Sequence, residues 1–108
     1  MEARLFVLQR LSAILLAPLV LVHLGLILYA VRGGLTAEAI LARTQGSIGW
    51  ALFYGVFVLA ACVHAPIGVR NVVREWTRWR SRSLDGAMLI LAATLLATGL
   101  RAVWAVVV

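Results

Sequence analysis

The sequence predicts an all-α membrane protein with three transmembrane helices. Three observations predict this. First, 64% of the 108 residues are hydrophobic and only 13% are charged, more apolar surface than one small core can bury. Second, the charges are segregated and leave three long stretches nearly free of them. Third, each stretch approaches the roughly 20 residues that a helix needs to cross about 30 Å of hydrocarbon.

Span one is the uncharged run of 21 residues between Arg10 and Arg32. Span two is the uncharged run from Ile48 to Val69. Span three runs from Gly86 to Val108 and is broken only by Arg101. The expected spans are about 11–31, 48–72 and 86–108, in a single transmembrane domain covering 1–108. Gly33-Gly34 reads as a helix stop that opens a loop reaching about Ser47; Arg78 to Asp85 forms the second loop. Thr36, Glu38 and Glu2 are the few polar residues outside the basic clusters. The first apolar segment is too long for a cleavable signal and has no clear small-residue cleavage site.

All ten basic residues are arginine, and the formal net charge is +6. Their positions fit a membrane rule better than nucleic-acid binding. Arg4 and Arg10 flank span one at its N-terminal side. Arg70, Arg74, Arg78, Arg80 and Arg82 gather at the second loop, whereas the first loop has only Arg32 and Arg43. The positive-inside rule then places the N-terminus and second loop in the cytoplasm and the C-terminus in the periplasm, in an inner membrane. Trp50, Trp76, Trp79 and Trp104 stand near span ends, as interfacial aromatics do. Arg101 is expected to snorkel to the outer surface. The single Cys62 makes neither an internal disulfide nor a zinc site and reads as a packing residue.

His64 is the most informative residue, because an ionisable side chain inside a bilayer needs a partner. At about 100° per residue, His64, Gly68, Asn71 and Glu75 share one side of span two. Phe57, Ala60 and Ala61 continue that side into the membrane. Small neighbours leave room for a flat ring, and a neutral imidazole is a haem ligand. The plain alternative is a histidine hydrogen-bonded to a neighbouring helix, with small residues for close packing. Pro66 cannot donate to the Cys62 carbonyl, so a kink is expected beside His64. His23, in span one, reads as a packing histidine or as an alternative haem-iron ligand. It lies roughly 140° around the helix from Arg10. Arg10, Ser12, Glu75 and Trp76 are expected at one membrane edge, where their polar groups suit a quinone head group; setting topology and anchoring are the plainer roles of Arg10 and Trp76.

Gln9-Arg10-Leu11-Ser12-Ala13 opening span one, His64-x-x-x-Gly68-x-Arg70 ending span two, and then Glu75-Trp76 together resemble the cytochrome b anchor subunits of succinate dehydrogenase and fumarate reductase. The resemblance extends over nearly the full length. It implies that His64 is an axial ligand of haem b and that Gly68 and Arg70 belong to the haem site. It also implies that Arg10 lies by the haem propionates and the quinone (ubiquinone or menaquinone). Glu75 stands where the family usually has Asp, and Trp76 where one anchor type has a quinone-bonding Tyr. Trp offers a donor only, which puts that contact in question. The His-Arg pair of one anchor type is Gln9-Arg10 here.

The resemblance implies partners as well: an iron–sulfur subunit, a flavoprotein subunit, and a second anchor or another copy of this chain. FAD and iron–sulfur clusters are not expected in this chain, which has neither the cysteines nor a nucleotide-binding motif; the dehydrogenase step itself belongs elsewhere. Two rivals stand beside this reading. One is a haem-free anchor or assembly subunit; the other is a small transporter, for which the spans lack an embedded carboxylate.

Overall fold

The computed structural model describes residues 3–108, so Glu2 lies outside the described residues. Four helices follow one another: α1 (Ala3–Gly33), α2 (Ala37–Thr44), α3 (Ile48–Trp76) and α4 (Arg82–Val107). No strand occurs among the described residues. Helices α1, α3 and α4 are each long and apolar enough to cross a membrane. The molecule measures 47 × 23 × 22 Å, close to the thickness of a bilayer with its interfacial layers. This is a membrane protein.

Helix α3 is the centre. Helices α1 and α4 pack mainly on α3 rather than on each other. The inward face of α1 is a stripe of Leu5, Gln9, Ser12, Leu16, Leu19, His23, Leu26 and Ala30, less exposed than the residues between them except Ala13. Their alternating spacing of four and three is the seam that keeps one helix facing another. Few apolar side chains are fully buried; Ala60, Ile67 and Leu84 make up the core. The outer faces remain apolar and uncovered, as expected where lipid or partner helices replace water. Helices α3 and α4 pack tightly at Gly99, where a Cβ would lie 2.6 Å from Val58 Cγ1.

The loop expected between spans one and two is partly helical, which corrects that reading. Thr36 N-caps α2, its hydroxyl accepting from Ala39 N–H at 3.1 Å. Glu38 in the first turn and Arg43 in the last complement the helix dipole. The Gly33-Gly34 stop stands: α1 ends at Gly33, and Gly34 takes φ 117°, a conformation glycine tolerates. Helix α2 then ties down the end of α4. Thr44 Oγ1 donates to the Val106 carbonyl at 2.6 Å, and Gly46 N–H donates to the Val107 carbonyl at 2.7 Å. Both prolines, Pro18 and Pro66, lie inside continuous helices, so neither ends its helix.

Candidate functional site: the contact of α1 and α3 around His64

Helix α1 brings Ser12 against α3 at His64. Ser12 is buried, and its Oγ lies 3.2 Å from His64 Nδ1. The same hydroxyl donates to the Gln9 carbonyl at 3.1 Å. One turn along α3, Gln9 Nε2 lies 3.3 Å from where a Cβ on Gly68 would stand. The space that the missing side chain opens beside Gly68 is therefore filled by the Gln9 amide of this chain. Gln9 Oε1 is buried there without a hydrogen-bond partner. On the flank away from Ser12, His64 borders a shallow groove of about 420 Å³ lined by Ala65, Gly68, Val69, Val72 and Val73. Every one of these residues belongs to α3, so no second helix of this chain closes the groove.

Arg70 stands apart from that groove. It is six residues after His64, about 120° around the helix, and it faces α4. There its Nε donates to Asp85 Oδ1 at 2.8 Å, the one ion pair among the described residues. Its Nη1 is buried without a partner. Asp85 carries no role in the sequence reading; a lone carboxylate in the first turn of α4 reads there as a loop residue.

The pairings of Ser12 with His64 and of Gln9 with Gly68 set an antiparallel register of α1 on α3. That register separates the four residues expected at one depth. Glu75 falls about 12 Å farther along the axis than the level of Arg10, at 1.5 Å per residue. The cause is the helix start: α1 begins at Ala3, well before Arg10, whereas Glu75 and Trp76 are the last residues of α3. The Arg10 side chain narrows the gap, because its guanidinium reaches back over the Phe6 ring, 5.9 Å from the centroid. Glu75 and Trp76 are exposed, and Trp76 is 83% exposed. Ser12 faces inward to His64, and Arg10 faces outward.

His23 sits on the same inward stripe of α1 as Ser12. It packs edge-to-face on Phe57 and Tyr54, with ring centroids 5.3 and 6.0 Å away. Its Nδ1 is buried without a partner. The register places it about 15 Å along the axis from His64, so the two imidazoles do not face one iron. Among the described residues no three metal-ligating side chains gather.

Two apolar helices packed on a central histidine-bearing one, with most of the arginines at one end, define a multi-pass membrane protein rather than a soluble carrier. The family model of the succinate dehydrogenase/fumarate reductase transmembrane subunit matches residues 1–100. The chain belongs to this family. No match was found among curated proteins, and none among solved structures.

Proposed function

We propose that this chain is a haem b-carrying membrane anchor that passes electrons between the iron–sulfur subunit of its complex and membrane quinone. The observation that carries the reading is His64. Its Nδ1 is engaged by Ser12, and the ring borders a groove that only α3 lines. The donor set fits half of a haem site: His64 would hold the iron through one imidazole nitrogen, and the open groove would leave the other side to a helix from a second anchor or another copy of this chain. When bound, the haem supplies one-electron redox chemistry. This chain supplies the axial nitrogen, the apolar wall and the insertion into lipid.

The quinone reading centres on Arg10, whose guanidinium lies on the outer face of α1 near the arginine-rich end. Glu75 and Trp76 stand farther out, where they would line the approach from the surface. Ser12, turned towards His64, contributes through that ring. Gly68 serves the haem as a wall together with the Gln9 amide, and Arg70 through the α3–α4 pairing that holds the wall in place. Arg74, Arg78, Arg80 and Arg82 present a cationic surface for the iron–sulfur and flavoprotein subunits. In this reading that surface and the N-terminus face the cytoplasm.

The test is the reduced-minus-oxidised absorption spectrum of the purified complex, with and without His64→Ala. Loss of a b-type haem band in the variant, with the protein still inserted, is the expected result. A full haem spectrum in the variant sinks the assignment. A complex without haem in either form leaves the haem-free anchor.

A further inference from the structure

We propose that Ser12 fixes the tautomer of His64, making Ser12 the positioning residue that presents His64 Nε2 as an axial lone pair. The inference rests on the haem reading above. It starts from proton counting. A serine hydroxyl carries one hydrogen and two acceptor lone pairs. Ser12 Oγ lies 3.1 Å from the Gln9 carbonyl oxygen, a group that can only accept. The hydroxyl hydrogen is therefore committed to Gln9. The 3.2 Å contact with His64 must then draw its hydrogen from the imidazole, so Nδ1 carries the proton and Ser12 Oγ accepts it. A neutral imidazole has one protonated nitrogen. Nε2 is left bare.

Sequence and packing enforce the arrangement. Ser12 belongs to the inward stripe of α1 and is buried, so water does not compete for its hydroxyl. The i−3 carbonyl of Gln9 is a fixed local acceptor for a helical serine. The chain Nδ1–H to Oγ–H to carbonyl runs in one direction, and each bond polarises the next. This is how an outer partner orients a ligating histidine and raises its basicity. Ser12 thereby touches the ligand and not the quinone, unlike its expected place in the sequence reading.

The experiment uses the full chain in detergent micelles and the purified complex. In the full chain without haem, nitrogen-15 NMR of histidine-labelled protein reads the tautomer of His64 directly. Nδ1–H is expected in the native chain and in Ser12→Thr, and a mixture of tautomers in Ser12→Ala. A native His64 with a bare Nδ1 overturns the proposal whatever the haem does. In the complex, Ser12→Ala is expected to raise the haem midpoint potential and to weaken haem retention, by roughly the 10- to 100-fold that loss of an outer partner costs a metal site. Ser12→Thr restores both. A potential unchanged in Ser12→Ala overturns the positioning role. A haem that survives His64→Ala overturns the functional reading, and the axial role of Nε2 with it, while the tautomer measured without haem stands separately.

Discussion

Arg70 on α3 and Asp85 on α4 are joined by an Nε–H···Oδ1 bond of 2.8 Å, with the arginine side chain 12% exposed and the carboxylate 54% exposed. The pair fastens the two helices at the arginine-rich end. Asp85 alone is half in water, which weakens the attraction; the cost of breaking it lies in Arg70, left mostly buried with no anion. Asp85→Asn is expected to destabilise the helical bundle by about 1–2 kcal/mol, between the roughly 1.5–3 kcal/mol of a charge-assisted hydrogen bond and the roughly 0–1 kcal/mol of an exposed ion pair. Unfolding in mixed micelles checks it. In a double-mutant cycle with Arg70→Gln, a coupling near zero removes the pair from the account of the fold.

Gly99 and Val58 form a tight approach between α3 and α4. A β-branched valine in a helix has little χ1 freedom, so it cannot turn out of the way of an added methyl. Gly99→Ala is expected to force the helices apart at a cost of about 1–3 kcal/mol, as for overpacking. Val58→Ala should recover most of the loss. If Gly99→Ala alone leaves stability unchanged, the helices are not in contact there.

Topology is testable without any cofactor. Reporter domains fused after Val108 are expected to be active only when they function outside the cytoplasm, and fusions in the segment between Trp76 and Arg82 only inside it. The reverse pattern inverts the reading of the arginine clusters.

Arg10→Ala is expected to lower quinone reduction by the complex about tenfold or more while dye-linked dehydrogenase activity persists, because loss of a charged hydrogen bond to the head group costs roughly 1.5–3 kcal/mol. Steady-state assays with the two acceptors separate the outcomes. A parallel fall in both activities assigns Arg10 to assembly, and no change in either moves the quinone elsewhere.

The three membrane helices were legible because length and charge segregation need no tertiary knowledge. The stop at Gly33-Gly34 was legible for the same local reason. Helix α2 was not read, although Thr36 and Glu38 carried its capping signal, because eight residues give too short a pattern to stand out in a linker. A hydrogen bond from His64 to a neighbouring helix was among the readings of the sequence, but its partner Ser12 was not assigned, because Ser12 and Gln9 reveal their direction only through the four-and-three stripe of α1, and apolar residues on every face of a lipid-exposed helix hide such a stripe. The common depth of Arg10 and Glu75 failed because charge marks where a span ends, whereas a helix runs on past its last uncharged residue. The Arg70–Asp85 pairing depends on where α4 docks, and no spacing in the chain encodes that.

The hydrogen bonds from Thr44 and Gly46 to the last carbonyls of α4 make the molecule resemble a clothes-peg. At that end the connection between α1 and α3 grips the tip of α4 through one hydroxyl and one main-chain N–H, neutral donors that salt does not screen. At the other end the segment 77–81 joins α3 to α4, and α1 is held to α3 by side chains, among them Ser12 against His64. Among the described residues the arginine-rich end, nearer Ser12 and His64, therefore ties α1 to the other two legs through side chains, whereas the far end also uses the main chain.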